Sequence, residues 1–442
     1  MAAIDCVNLN DVVAGGSEAR SYRANPRANS LTLNSQLLIF AVALLLRAGY
    51  VLAQYRWGIV SGDFKSGDAG LYLRLADSLL AGRGLADGSG PTAFVMPGYP
   101  LFLSACFYLF GRNSEIASLI QSGLSALACV WIARSTALLF SRSAGVVAGL
   151  IAAGYYELVL WTSGQLLTEP LYFFLVASAI YALLAALDST PDSSRRAMMA
   201  LAGALFGLAA LVRPNALGVV AVIALMMAGI AVWNRQSRDT LNAALFVAGC
   251  VVVMLPWGIR NSVAVGQFTL ASTEGGHVFW LGNNPGYDRR ESPDFIRYGG
   301  YTAMFPGLAE AAGKSEIEAN RIYRQAAINH IIAHPGLWVE RGFHKLWNMW
   351  RPTFSHSSWR NRLLAWTLYP ALLGLSVCGL IAAWPERARA WPLFVFLLGN
   401  LLIHFTITGE IRFRVPLWVA LIPFAAVSIT RMIPSNGEAA LA

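Results

Sequence analysis

A polar, glycine-punctuated stretch from Ser66 to Pro100 carries the residues best suited to chemistry. Asp63 and Asp68 lie just before and at the start of a run in which leucines recur at helical spacing, and Gly82 and Gly84 predict where that helix ends. An apolar face with a charged back is typical of a helix that lies flat on a membrane surface. Such a helix would present a carboxylate at its first turn, and we take Asp68 as the leading candidate for a catalytic base.

A second set of ionisable and polar residues lies at the ends of apolar segments. Its members are Glu157, Glu169, Arg213, Arg260, Asn261, Arg412 and Arg414. Carboxylates and arginines around one rim suit a reaction in which a carboxylate takes a proton while cations hold an anionic leaving group. The alternative is that the arginines only extend to the interface and that Glu157 is a paired buried carboxylate. The set as a whole favours function, because ionisable groups within membranes usually mark functional sites.

The composition shows what kind of protein must position these residues. Of 442 residues, 56% are hydrophobic and 13% charged, whereas soluble proteins have roughly 25% charged residues. The chain is therefore predicted to be a polytopic membrane protein. The net charge of +9 comes from Lys and Arg scattered over short loops, which argues against a nucleic-acid surface. The five cysteines have neither disulfide-framework nor metal-ligand spacing.

Hydropathy predicts about ten membrane spans. They lie near 36–55, 114–135, 145–162, 168–187, 197–212, 214–233, 240–259, 363–384, 391–408 and 415–433. The apolar segment Gly98–Phe110 would cover only about 20 Å of a hydrocarbon core about 30 Å thick, so we interpret it as a juxtamembrane helix. With this count, the positive-inside rule places one group of loop arginines in the cytoplasm. The group consists of Arg134, Arg142, Arg195, Arg196, Arg235 and Arg238.

The order of several short motifs resembles a known family. The motifs are Asp68 with Tyr72, PGYP at Pro97–Pro100, TEP at Thr168–Pro170, RPN at Arg213–Asn215, PWxxRN at Pro256–Asn261, LGNNP at Leu281–Pro285 and RFRxP at Arg412–Pro416. Together, over residues 36–430, they resemble the bacterial C-type membrane glycosyltransferases, which are similar to protein O-mannosyltransferases and to the lipid A aminoarabinose transferase.

The resemblance implies an integral-membrane transferase at the periplasmic face of a bacterial inner membrane. Its donor would be a sugar on a polyprenyl phosphate, and its acceptor an envelope lipid, glycan or protein. Asp68 would match the family's acid that deprotonates the acceptor, and Glu169 a second acid that is Asp in many members. The remaining substrate-binding candidates are Asp63, Tyr72, Glu157, Asn261 and the arginines Arg213, Arg260, Arg412 and Arg414, the arginines holding the donor phosphate. Met96 stands where the aminoarabinose branch has a lysine, which argues against that sugar.

The fold class expected is an all-α polytopic membrane protein with periplasmic juxtamembrane helices and a small periplasmic α or mixed segment. The divisions are a cytoplasmic tail at 1–35, a catalytic membrane module at 36–259 with its first periplasmic loop at 56–113, a periplasmic segment at 260–362, terminal membrane helices at 363–433 and a tail at 434–442. Within the periplasmic segment, residues 272–287 predict turns around a short strand. Residues 315–350 predict helix with a break at Pro335.

Other signals allow weaker hypotheses. No cofactor is required, although a divalent cation could lie between Asp63 and Asp68. His330 and His334 have the spacing of two metal ligands on one helix face, but no Glu follows the first His and Pro335 ends the helix. A transporter or flippase of lipid-linked sugars is the alternative function, and it would favour charged or broken helices near the midplane. One displacement assisted by one base implies inversion at the anomeric carbon.

Overall fold

The computed structural model describes residues 30–58, 67–88, 90–189, 191–287, 309–352 and 359–432. In chain order the helices are α1 (Leu33–Arg56), α2 (Gly67–Leu80), α3 (Gly98–Phe110), α4 (Ser114–Leu139), α5 (Arg142–Gly154), α6 (Tyr156–Trp161), α7 (Glu169–Asp188), α8 (Asp192–Val212), α9 (Asn215–Asn234), α10 (Ser237–Ala264), α11 (Gly275–Gly282), α12 (Glu316–Ala333), α13 (Pro335–Trp350), α14 (Trp359–Ala382), α15 (Arg387–Thr406) and α16 (Trp418–Met432). Short 3₁₀ helices span Ala309–Ala311, Trp384–Glu386 and Ile411–Leu417, and two-residue strands β1 (Ala86–Asp87) and β2 (Gly90–Pro91) form a hairpin.

Nine helical segments of the described chain are long and apolar enough to cross a membrane. They are Leu33–Arg56, Ser114–Leu139, Glu169–Asp188, Asp192–Val212, Asn215–Asn234, Ser237–Ala264, Arg362–Ala382, Trp384–Thr406 and Ile411–Met432. The expectation of an all-α polytopic membrane protein is confirmed. Segment 98–110 is a separate short helix, as predicted.

The predicted span 145–162 is not one continuous helix. The helix α5 ends at Gly154, Tyr155 is extended, and α6 begins at Tyr156. Arg47, fully buried on α1, explains the break, because it donates to the carbonyls of Ala152 and Ala153 at 3.1 and 3.0 Å. The last carbonyls of a helix lack intrahelical partners and attract cations. A buried arginine therefore terminates α5 where hydropathy alone predicts that the helix continues.

Small residues set the distance between the longest helices. A Cβ atom at Gly203 of α8 would overlap the carbonyl oxygen of Phe246 on α10, and one at Gly249 of α10 would overlap that of Ala200 on α8. Without side chains at these points the two backbones approach closely, which is how membrane helices gain packing energy in the absence of a hydrophobic driving force.

The bundle has two chemically distinct ends. The helix α7 begins at Glu169, which pairs with Arg213, and ends at Asp188, which lies 3.6 Å from Arg389. Twenty helical residues separate these pairs by about 30 Å. Arg238 lies 3.9 Å from Asp192, near the start of α8, so it belongs to the same end as Arg389. Arg238, one of the loop arginines that the positive-inside rule places in the cytoplasm, thus lies at the end opposite to Glu169.

The prediction of a short strand within residues 272–287 is wrong, since α11 occupies Gly275–Gly282. The backbone N–H of Gly276 donates to Asn320 of α12 at 2.6 Å, and the His277 ring contacts Tyr323 edge-on. A helix pairs its own backbone groups, whereas a lone strand needs a partner strand. Downstream, the predicted break at Pro335 is confirmed, because α12 ends at Ala333 and α13 begins at Pro335.

Candidate active site

A cavity of about 510 Å³ opens at the Glu169 end of the bundle. Its walls come from α2, from the starts of α9 and α11, from the end of α15 and from the segment that leads into α16. The charged residues that line it are Asp68, Arg213, Glu274, Glu410 and Arg412. Residues far apart in sequence therefore meet in one chamber, whose lining includes both polar and apolar residues.

Asp68 and Arg412 form an ion pair inside this cavity. Asp68 lies in the first turn of α2, and its side chain is 52% exposed. Arg412 donates from Nη1 to Oδ2 of Asp68 at 2.9 Å and from Nε to Oε2 of Glu410 at 3.1 Å. A carboxylate that can accept a proton and a cation that can bind an anion are thus neighbours.

A second ion pair lies behind the cavity wall. Glu169, 1% exposed at the start of α7, accepts from Nη1 of Arg213 at 2.9 Å. Arg213 lines the cavity and Glu169 does not. The geometry makes Glu169 an orienting partner for Arg213, and a carboxylate is also favoured at a helix N-terminus.

Phe413 holds the two cavity arginines on one ring. The guanidinium carbon of Arg213 lies 5.1 Å from its centroid and that of Arg412 lies 5.3 Å from it, both within cation–π range. The ring is in turn stacked on buried His404 at 5.1 Å, and His404 Nδ1 lies 2.8 Å from the Thr408 carbonyl oxygen. Two guanidinium groups from separate elements are therefore fixed around one aromatic spacer.

Glu274 and Glu410 are cavity carboxylates that sequence reasoning missed. Glu274 immediately precedes α11, and burial, reinforced by the nearby Asp68 carboxylate, raises its pKa to about 7 against the opposing effect of Arg412. Its sequence signal is a Glu within a Gly-rich segment of the predicted periplasmic unit, but a prediction of turns around a short strand gives that Glu no place in a site. Glu410 stands two residues before Arg412 in GEIRFR, where it could have been suspected as a partner.

Tyr72 lies where the sequence suggested, on the cavity wall one helical turn after Asp68. Its ring meets Tyr99 edge-on at 5.1 Å. Burial, and then the charge of Asp68, raises the pKa of Tyr72 far above its ordinary value, so the phenol stays protonated. Met96 also lines the cavity. Asp63 lies outside the described residues, and its cation-binding and substrate-binding roles stay predictions.

Arg260 and Asn261 are not among the residues that line the cavity. Arg260 donates to the carbonyls of Thr92 and Leu85, both at 2.7 Å, and to Oδ1 of Asn261. Asn261 donates in turn to the Thr269 carbonyl at 3.0 Å. These contacts hold the residues that flank the β1–β2 hairpin against α10. They give the Arg260 guanidinium hydrogen-bond partners within the protein, so it does not need a phosphate to balance it.

Glu157 and Arg414 also lie away from the cavity lining, in the protein interior. Glu157 accepts from Nε of Arg414 at 2.8 Å, from the Trp418 indole at 3.0 Å and from the Tyr155 hydroxyl at 3.1 Å. Arg414 also donates to backbone carbonyls at the end of α13 and just beyond it. This arrangement matches the alternative of a paired buried carboxylate rather than substrate binding.

The described residues offer little to a metal ion. Among them, no group of three or more His, Cys, Asp or Glu side chains could hold one. At the HIIAH motif, Nε2 of His330 lies 3.1 Å from a guanidinium nitrogen of Arg341, so that ring nitrogen faces a cation. Beside Asp68, the guanidinium of Arg412 already supplies positive charge.

Known proteins share this architecture. Residues 91–259 match the family model for dolichyl-phosphate-mannose-protein mannosyltransferases. The oligosaccharyltransferase of Archaeoglobus fulgidus, crystallised with a tethered acceptor peptide, superposes with a TM-score of 0.55 at 14% identity over 90% of this chain. The chain has the fold of the C-type membrane glycosyltransferases. The superposition covers 49% of the archaeal protein, so this chain spans about half of that length. No curated protein sequence matches the chain.

Some of the similar structures contain ligands. The Archaeoglobus protein, AglB, has been solved with an inhibitory peptide and a dolichol-phosphate, with a TM-score of 0.52, 14% identity and coverage of 90% of this chain and 50% of that one. It has also been crystallised with Zn and sulfate. ArnT from Cupriavidus metallidurans bound to undecaprenyl phosphate is similar at a TM-score of 0.40 and 16% identity, over 89% of this chain and 78% of that chain, too weak a likeness to support an argument.

Proposed function

We propose that the protein is a membrane glycosyltransferase that moves a sugar from a polyprenyl-phosphate donor to a hydroxyl of an envelope lipid, glycan or protein. The observation that carries the proposal is the ion pair of Asp68 and Arg412 at 2.9 Å inside the cavity. A proton acceptor and an anion-binding group lie within one sugar's width of each other. The fold shared with glycosyltransferases supports this chemistry.

The reaction is a single displacement. The acceptor oxygen forms a bond to the anomeric carbon while the bond from that carbon to the phosphate oxygen breaks. The electron pair leaves with the lipid phosphate, and the acceptor proton passes to Asp68. Attack opposite to the leaving group inverts the anomeric centre. A positioned base contributes about 10²–10⁴ in rate, and each preorganised donor to the developing charge contributes roughly 3–4 kcal/mol.

Arg412 and Arg213 are the groups proposed to hold the phosphate. Both guanidinium groups face the cavity and stack on Phe413, which suits two-point recognition of one anion. Glu169 keeps Arg213 in place from behind the wall. Glu274, whose pKa is raised to about 7, can be neutral beside the phosphate and donate a hydrogen bond to it.

The apolar side of the cavity suits a lipid-linked donor. Val212 of α8, Gly218 of α9 and Ile403 of α15 line the same cavity as the charged residues. A polyprenyl chain needs such a surface while its sugar needs the polar one. The dolichol-phosphate bound by AglB, which has a similar fold, supports a donor of this class. We place the cavity at the periplasmic face of a bacterial inner membrane, because it lies at the end opposite to the loop arginines.

Replacement of Asp68 tests the proposal. The missing product is first identified by mass spectrometry of envelope glycolipids and glycoproteins from a deletion strain, and variants are then assayed with the corresponding polyprenyl-phosphate sugar. Asp68→Asn should lower turnover by about 10²–10⁴ without loss of folded protein, because Asn keeps the size but cannot take the proton. Glu169→Gln should be less severe, since Glu169 only orients Arg213.

Asp77→Asn is the matched control. Asp77 lies on the same helix, pairs with Arg112 at 2.8 Å and is not among the residues that line the cavity, so its variant should keep wild-type turnover. A folded Asp68→Asn protein with undiminished turnover would sink the assignment of the base. The assay in detergent also separates transfer from transport, because a flippase of lipid-linked sugars would form no glycoside there.

A further inference from the structure

Arg412 already has a carboxylate on each side of its guanidinium. Nε donates to Glu410 and Nη1 donates to Asp68. A guanidinium binds a phosphate best through two parallel N–H groups, either Nε with Nη2 or Nη1 with Nη2. Each of these two edges has one nitrogen engaged. A phosphate that binds in the two-point manner therefore meets a carboxylate beside either edge, and the repulsion between like charges favours the loss of that carboxylate.

The two carboxylates differ in how firmly they are tied to Arg412. Glu410 is two residues away in the same segment, so it stays near the guanidinium whatever binds there. Asp68 comes from α2, 344 residues away in sequence, and its side chain is 52% exposed. Water can solvate Asp68 once it leaves, and exposed ion pairs are weak. Asp68 is the partner that a phosphate can exchange.

We propose that Arg412 holds Asp68 in the free protein and releases it as a base only when the donor phosphate takes its place on the guanidinium. This inference rests on the proposed function, because it assigns a trigger to the same site. While the Asp68–Arg412 pair is intact, Oδ2 of Asp68 accepts from an N–H group of Arg412 rather than from the acceptor hydroxyl. The donor would therefore bind first and would switch on the base that the acceptor needs.

The proposal makes an unusual demand on binding. If Asp68 and the phosphate compete for Arg412, removal of the Asp68 charge must tighten the binding of a lipid phosphate, although it abolishes transfer. A partly exposed pair of this kind is worth a factor of about two to five in affinity. Loss of a negative charge near an anion could also tighten binding without any exchange, so the test must isolate the part that requires Arg412.

The experiment is a double-mutant cycle on the affinity for undecaprenyl phosphate alone, with the full-length protein in nanodiscs. The four proteins are the wild type, Asp68→Asn, Arg412→Gln and the double variant. We expect Asp68→Asn to bind about two- to fivefold more tightly than the wild type. In the Arg412→Gln background, the same substitution should change the affinity little, because the competition no longer exists. Near-equal thermal midpoints for the four proteins show that folding does not cause the difference.

Each other outcome is decisive. Equal tightening in both backgrounds would mean simple charge repulsion, and unchanged or weaker binding by Asp68→Asn would mean that phosphate and Asp68 bind Arg412 together. Both results overturn the exchange and leave the proposed function standing. If the wild type does not bind undecaprenyl phosphate at all, the proposed function fails and this inference fails with it.

Discussion

The pair of Glu157 and Arg414 allows the sharpest test of which arginines are structural. Arg414 is 1% exposed and Glu157 is 3% exposed, and the carboxylate also accepts from Trp418 and Tyr155. Glu157→Gln would leave the guanidinium buried without its counter-ion and would turn one amide N–H₂ toward groups that are themselves donors. Breaking a buried pair by removing one partner costs about 3–5 kcal/mol.

This loss should appear as a large fall in the thermal unfolding midpoint of the detergent-purified protein. The pair joins α6 to the segment before α16 and to the end of α13, so the substitution loosens three elements at once. A double variant, Glu157→Gln with Arg414→Met, should recover part of the midpoint because no uncompensated charge remains. Asp77→Asn breaks an ion pair of the same type whose two side chains are 58% and 36% exposed, and it should cost about 1 kcal/mol or less.

The affinity for polyprenyl phosphate shows whether Arg414 is a structural residue or a phosphate ligand. We expect the part of Glu157→Gln that stays folded to bind the lipid phosphate as the wild type does, since neither member of the pair lines the cavity. A Glu157→Gln protein with an unchanged thermal midpoint and weakened lipid-phosphate binding would refute this reasoning. Arg414 would then be a phosphate ligand, as its place in the RFR motif suggested.

Two further predictions concern pH and orientation. If neutral Glu274 faces the phosphate, donor affinity should fall by up to about tenfold between about pH 6 and pH 8, because the neutral fraction of a group whose pKa is about 7 falls from roughly 90% to roughly 10%. Glu274→Gln stays neutral and should remove that pH dependence in a titration of donor binding. A wild-type affinity that does not change with pH would contradict the role of neutral Glu274 as a hydrogen-bond donor to the phosphate. Ser193→Cys should be shielded and Glu310→Cys should react with an impermeant thiol reagent in intact cells, using a background without the native cysteines, and the reverse pattern would place the cavity in the cytoplasm.

Local physics explains which features of the fold were visible in the sequence. The helix that starts near Asp68 follows from leucine spacing, and Gly82 and Gly84, both with φ of 72°, end it as expected. The break after Gly154 could not be predicted, because it depends on Arg47, 105 residues or more away in sequence. Hydropathy scores a residue's own transfer to lipid and carries no information about which carbonyls a buried cation will meet.

The site was predictable as a set of residue types and not as a set of contacts. Arg260 appeared to be a phosphate ligand from its place at a helix end, yet its partners are carbonyls 168 and 175 residues earlier in the chain. Glu274 was passed over because the strand prediction for its segment was wrong. The groups that define its surroundings, Asp68 and Arg412, are also far from it in sequence, and sequence spacing constrains only neighbours within a helix or strand.

Arg412 and Arg414 show how local geometry assigns different roles to neighbouring residues of one type. They lie in the 3₁₀ segment Ile411–Leu417, where each residue turns by about 120° from the last, so residues two apart point in different directions. Arg412 therefore reaches the cavity and Arg414 the interior. Between them, Phe413 faces the cavity, and its ring makes a cation–π contact with the second cavity arginine, Arg213. The RFR motif thus supplies one guanidinium of the proposed phosphate site and the ring that positions the other, Arg213, which comes from a different helix end.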